Sequence, residues 1–232
     1  MLKSQEFIDL LKARRSIRAF KPAPLPKGYI EQIIEAARWA PSGGNGQPWE
    51  FVVIQRLDLK EKIVELYKKA AEPTFRREQE NDPELKRPHM VLPVPEPGFK
   101  DAPVFILLLG DPRTNIAFPL RVQDTHGDEV FISSLAGAFL CMHLAARSLG
   151  LGSQWVSAMA DTSIEKELKE LLKIPLGLTV YDMMAVGYPA YDPGPRSPRE
   201  LEEMLHYDGF HEEKHRTDEQ IREFAKQIIR TR

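Results

Sequence analysis

Residues 40–54 read Ala40-Pro41-Ser42-Gly43-Gly44-Asn45-Gly46-Gln47-Pro48-Trp49-Glu50-Phe51-Val52-Val53-Ile54. The first part is dense in turn formers, and Glu50–Ile54 is a short apolar run of the kind that makes a buried strand. Ahead of it, Ile30, Ile33, Ile34 and Ala37 recur at helical spacing, and Pro41 ends that helix. The segment therefore joins a helix to a strand. That order excludes a Rossmann fingerprint, which follows a strand, and the absence of a Gly-Lys-Ser/Thr ending excludes a Walker loop. Glycines at 43, 44 and 46 let the backbone approach a flat ligand and expose its N–H groups. Asn45 and Gln47 each offer a donor and an acceptor, which suits the polar edge of a heterocycle. An ordinary glycine-rich turn has the same composition, so the segment alone leaves both readings open.

Working outward, Phe7, Leu10 and Leu11 mark a helix before it, and Ile63, Leu66 and Tyr67 mark one after it. Residues 103–110 (PVFILLLG) form a buried strand and 128–149 the longest apolar helix. A strand near 153–157, a helix over 163–173 and a strand ending at Gly187 follow. Pro189, Pro193, Pro195 and Pro198 then lead into a charged tail, with an amphipathic helix over 217–229. Residues 73–102 are rich in proline and charge and lack periodicity, which suits a lid or an arm over a functional surface. Strands and helices are interspersed without a βαβ rhythm, so the pattern predicts an α+β fold: a mixed sheet flanked by helices.

The chain has 232 residues, 42% hydrophobic and 28% charged, with a net charge of −2. Such a balance predicts one globular domain and argues against a general nucleic-acid or membrane-surface partner. No uninterrupted apolar run approaches the roughly 20 residues of a membrane span. The N-terminal stretch reads as an amphipathic helix and not as a leader. Cys141 is the only cysteine and lies in an apolar helical stretch, so a packed thiol in a reducing cytoplasm is expected.

Arg14, Arg15, Ser16 and Arg18 follow directly on the first helix. A phosphate monoester is nearly a dianion, and guanidinium forks with a hydroxyl donor hold it well. A solvated basic helix end has the same composition, and the cluster alone does not decide between them.

Taken in order, RRSIR (residues 14–18), APSGGNGQPWEFVVI (40–54), LGLGSQWVSA (149–158) and KIPLGLTVYDMMAVGYPA (173–190) resemble the FMN-dependent nitroreductase family. The resemblance runs from about residue 5 to residue 207 and is weakest over 73–102 and in the tail. It implies an α+β homodimer of single-domain subunits with 73–102 as a lid and 190–232 as an extended C-terminal arm. Two FMN sites would lie at the interface, each built from both subunits. Arg14, Arg15, Ser16 and Arg18 match the family's positions for the FMN phosphate, ribityl chain and O2 side of the ring. Pro41, Ser42, Gly43 and Asn45 match the turn along the isoalloxazine, with Gln47 just behind. Ser157 and Ala158 match the place where a backbone N–H approaches flavin N5; several relatives carry an acidic residue at the first of these, so Ser157 is a departure. Arg196 and Arg199 both qualify as the basic residue that closes the phosphate site, and Arg199 is preferred because it abuts LEEML. Ser133 and Ser134 are candidates to reach the partner's flavin.

The implied activity is transfer of electrons from NADH or NADPH to a small oxidised substrate (a nitroaromatic, a quinone or similar) by a ping-pong route. No protein nucleophile or metal is required. Reductive dehalogenation or flavin cleavage, both found among relatives, are alternatives, and a non-catalytic flavin-binding module is a distant one. His211-Glu212-Glu213-Lys214-His215 matches H-E-x-x-H, which on a buried helix would place two zinc ligands on one face. Its charged surroundings read as a solvated tail.

Overall fold

The computed structural model describes residues 3–194, 196 and 198–230; Pro195 and the chain ends quoted above lie outside them. Six α-helices and four strands make up the regular structure of the described residues: α1 (Ser4–Ala13), α2 (Tyr29–Arg38), β1 (Trp49–Ile54), α3 (Leu57–Glu78), β2 (Val104–Gly110), α4 (Leu120–Ser148), β3 (Gly152–Val156), α5 (Thr162–Leu172), β4 (Thr179–Gly187) and α6 (Asp218–Arg230).

The strands form one sheet in the order β1-β2-β4-β3, and every strand pair is antiparallel. The α+β class stands as read from the sequence. Its mixed character does not extend to these four strands: the parallel pairing among the described residues is the isolated bridge between Ser16 and Ser153. Alternation along the central strands builds two cores. On β2, Phe105, Leu107 and Leu109 join one cluster with Ile63 of α3 and Ile164 and Leu168 of α5. Val104, Ile106 and Leu108 join the other with Ile33 of α2 and Phe131, Leu135 and Phe139 of α4. Both faces are covered, so β2 has no polar position and reads as a continuous apolar run.

Two helices depart from the sequence reading. α3 continues through Pro73 to Glu78. Proline there removes one backbone donor; the turn beyond it carries the Arg76–Glu72 pair at 2.6 Å and the Gln79 side chain donating to the Phe75 carbonyl at 3.1 Å. α4 begins earlier than expected, with a break at His126 (φ −157°, ψ 32°) just before Gly127. The apolar segment after that break is the helix seen in the sequence. By length and composition α4 could cross a membrane. Its inner face, however, is Phe131, Leu135, Ala138, Phe139, Met142 and Ala146, all buried in the second core.

The chain divides into two compact units. One contains the described residues up to Ala71 together with Glu96–Pro193, and so holds the whole sheet. The other joins Glu72–Pro95 to the described residues from Gly194 onward. Within that second unit α6 is tied to residues 82–84 by charge: Arg222 pairs with Asp82, and Lys226 pairs with Glu84 at 2.8 Å.

Candidate active site

The arginine cluster leaves α1 in an extended arm pinned to the sheet by its backbone. Ile17 N–H donates to the Ser153 carbonyl at 3.0 Å, and Lys21 N–H to the Tyr188 carbonyl at 2.9 Å. Ala190 N–H returns a bond to Ala19 at 3.0 Å. Ile17 and Phe20 point into the core, each 4% exposed. Arg14, Arg15 and Ser16 are half-buried and Arg18 is exposed. Gly98 passes so close that a Cβ there would sit 1.9 Å from the Arg18 carbonyl oxygen. Arg14 and Arg15 line a cavity of about 520 Å³ together with Lys21, Arg147, Ser153, Tyr191 and Asp192. Four cations against one carboxylate give it a net positive lining, which suits an anion. Arg15 also donates to the Arg14 carbonyl at 3.0 Å and to that of Lys12, so it caps the end of α1. Lys21 and Arg147 were not singled out by sequence; only the fold brings them to Arg14.

The glycine turn is held differently. Ser42 Oγ accepts from Gln47 N–H at 3.0 Å, and Ser134 Oγ of α4 accepts from Gly43 N–H at 3.1 Å. Gly44, Asn45 and Gln47 have φ of 53°, 53° and 47°. A Cβ on Gly43 would lie 2.3 Å from Val130 Cγ1, and one on Gly44 would lie 2.2 Å from the Ala117 carbonyl oxygen. Glycine is therefore a packing requirement, and Asn45 and Gln47 are left exposed at the rim. Ser134 is committed to this turn, since its hydroxyl donates to Val130 at 2.7 Å, whereas Ser133 is exposed. Ser157 and Ala158 open the short 3-10 turn that follows β3. Neither they nor any of residues 41–47 lines the arginine cavity. Within a single chain the arginine cavity and the glycine turn are thus separate surfaces.

Beneath the arm lies a buried polar cluster that carries no sequence motif. His143 of α4 and Ser153 of β3 share a 2.7 Å hydrogen bond, and the His143 ring stacks on Trp155 at 5.6 Å with 12° between planes. Burial, aided by the nearby charge of Arg14, lowers the His143 pKa to about 4. The Trp155 indole donates to Asp182, whose carboxyl burial raises to about 6 against that bond. Burial also pushes the Cys141 thiol upward, as expected of a packed cysteine.

A family model described as the nitroreductase family matches residues 11–188, which include the arm, the turn and β3. The chain belongs to the nitroreductase family. It is 28% identical over 211 residues to an Archaeoglobus fulgidus protein provisionally named NADH dehydrogenase/NAD(P)H nitroreductase, covering 90% of this chain and 99% of the relative. It is 29% identical over 210 residues to a Bacillus subtilis FMN reductase (NAD(P)H), covering 87% and 73% respectively. A solved iodotyrosine deiodinase bound to FMN and 3-iodo-L-tyrosine is 26% identical with a TM-score of 0.66, covering 88% of this chain and 99% of that one.

In this nitroreductase-family chain the remaining expected residues lie in the second unit. Arg196 is exposed. Arg199 is held by Glu203, with Nε to the carboxylate at 3.1 Å and Nη2 to the backbone carbonyl at 3.3 Å. Proximity to LEEML therefore supplies Arg199 with a local ion pair. The H-E-x-x-H stretch is a three-residue 3-10 turn, Glu212–Lys214, so His211 and His215 do not share a helical face. Among the described residues no group of three His, Cys, Asp or Glu side chains is placed to hold a metal ion. His206 and Phe210 stack there at 4.4 Å, with Phe210 largely exposed.

Proposed function

We propose that this chain is an FMN-dependent oxidoreductase that passes electrons from NADH or NADPH to a small oxidised acceptor, a nitroaromatic, a quinone or similar, by a ping-pong route. The cationic cavity on the arm, inside a chain of this family, is the observation that carries the reading. The donor set suits FMN: guanidinium groups for a phosphate dianion, and exposed amide side chains at Asn45 and Gln47 for the polar edge of a heterocycle. FMN supplies the redox chemistry when bound, while the protein sets position and local charge.

In this reading Arg14, Arg15 and Ser16 hold the phosphate and ribityl chain, and Arg18 supplies positive charge on the O2 side of the ring. Pro41, Ser42, Gly43 and Asn45 lie along the ring with Gln47 behind. Ser157 and Ala158 present the backbone N–H, and Arg196 or Arg199 closes the phosphate site. The division of these residues between two surfaces supports a homodimer in which each site draws on both subunits. So do the apolar side chains left outside: α1 buries no residue and exposes Phe7 and Ile8, while α4 exposes Ile132 and Leu140. The same reading takes 73–102 as a lid and 190–232 as an extended arm of a single flavin-binding domain. A cytoplasmic location belongs to the same proposal.

Purified protein supplied with FMN is expected to retain it through desalting and to show flavin absorbance. Failure to retain it overturns the assignment. Likeness to the iodotyrosine deiodinase structure favours a second reading, reductive dehalogenation of an aryl halide. Reductant-dependent halide release from an iodophenol, exceeding turnover of nitroaromatics and quinones, would select it.

A further inference from the structure

The buried pair beneath the arm has chemistry that the phosphate assignment does not use. His143 is 4% exposed and Ser153 3% exposed. His143 Nδ1 lies 2.7 Å from Ser153 Oγ, and His143 Nε2 is buried without a hydrogen-bond partner. Two tautomers are open to the ring. If Nδ1 only accepts, Nε2 carries a proton and becomes an orphaned buried N–H donor. If Nδ1 carries the proton, Nε2 is left as an unpaired acceptor, which proteins tolerate more readily than an orphaned donor. The second tautomer is thus preferred, and it has a consequence for Ser153. Its oxygen accepts the Nδ1–H hydrogen bond, so its own O–H must donate elsewhere.

Ser153 is also a wall of the cavity lined by Arg14, Arg15 and Arg147. Its carbonyl accepts the Ile17 N–H that anchors the arm, so its side chain and the arginines are fixed to one piece of backbone. We propose that Ser153 Oγ–H is a further donor to the anion held in this cavity, and that His143 is a positioning residue that orients it. The proposal rests on the reading of the cavity as the FMN phosphate site. His143 stays uncharged at neutral pH, so it orients the hydroxyl without adding charge. Trp155, stacked on the ring and bound to Asp182, keeps the imidazole from turning.

The test compares dissociation constants for FMN and riboflavin, measured by fluorescence titration of the full chain, because the two differ only in the phosphate. Ser153→Ala is expected to weaken FMN about tenfold, as for loss of a hydrogen bond to a charged group, and to leave riboflavin within about twofold. His143→Leu should shift the FMN-to-riboflavin ratio in the same direction. His143→Asn, whose amide N–H can replace the Nδ1 donor, should keep the wild-type ratio. Equal weakening of both ligands by Ser153→Ala, or an unchanged ratio, overturns the proposal. Loss of the ratio in His143→Asn as severe as in His143→Leu removes His143 from it. Should His143→Leu fail to fold, Ser153→Ala and His143→Asn still decide. A wild-type chain that binds no FMN overturns the flavin reading alone. The same variants are then titrated calorimetrically with inorganic pyrophosphate, where affinities equal to wild type overturn the Ser153 donor.

Discussion

The arm at 14–21 and the turn at 41–47 are both proposed to grip one cofactor, yet they are built on opposite principles. The arm is fixed by backbone hydrogen bonds to Ser153, Tyr188 and Ala190 and by two buried anchors, Ile17 and Phe20. Its hold on the sheet therefore does not rest on its arginine side chains. The turn is fixed by what it lacks: Gly43 and Gly44 press against Val130, Phe118 and the Ala117 carbonyl, where no side chain fits. Its function resides in backbone and shape. Substitutions in the arm should therefore cost binding, and substitutions in the turn should cost folding.

The largest effect is expected at Gly44→Ala. It would add a Cβ 2.2 Å from a backbone oxygen at a residue with φ of 53°. The change should lower unfolding free energy by at least about 3 kcal/mol in urea titration. A loss below about 1 kcal/mol would break the contrast.

His143 and Asp182, both buried near the arm, give effects of similar size and opposite sign. His143 has a folded pKa of about 4 against an ordinary 6.5. The unfolded chain binds more protons in that window, so His143 makes stability fall as pH drops from 6.5 to 4. Asp182 has a folded pKa of about 6 against 3.8, so the folded chain binds more protons and stability rises as pH drops through 6 to 3.8. Each is worth up to about 3 kcal/mol, and in the wild type they oppose one another. Relative to wild type, Asp182→Asn should therefore become less stable on acidification from pH 6 to pH 4, and His143→Leu more stable. Parallel curves for all three proteins would show that neither group titrates as described.

In the arm, Arg14→Ala should weaken FMN binding by about 1.5–3 kcal/mol, the worth of a charged hydrogen bond, with less than about 1 kcal/mol of stability lost. A large stability loss with unchanged FMN affinity would reverse the assignment of roles. The smallest effect is expected at Gln47→Gly. It relieves a positive φ at a rim position, so stability should stay level or rise by up to about 1 kcal/mol. A clear drop would mean that the Gln47 side chain, and not only its backbone, supports the turn.

The same contrast explains what could be read from sequence. β2, β4 and the apolar part of α4 were legible because a run buried on both faces announces itself. The turn was legible because its glycines are forced by packing. The antiparallel sheet was less so, since strand pairing is decided by partners remote in the chain. α3 continues past Pro73 with Ala70, Ala71 and Phe75 buried around it, whereas the Glu72–Arg76 pair is exposed and adds little against one missing donor. Lys21 and Arg147 join Arg14 only through tertiary structure, and neither lies in a motif. His143 looks like one more residue of an apolar helix until Ser153 and Trp155 are placed beside it.

The central claim is electron transfer through FMN held by this chain, and an anaerobic titration of the FMN-loaded protein with NADH and NADPH tests it most directly. The account predicts loss of the oxidised flavin absorbance at near-stoichiometric nicotinamide, and its return when a nitroaromatic or quinone is added. Bound FMN whose absorbance neither nucleotide alters would contradict it.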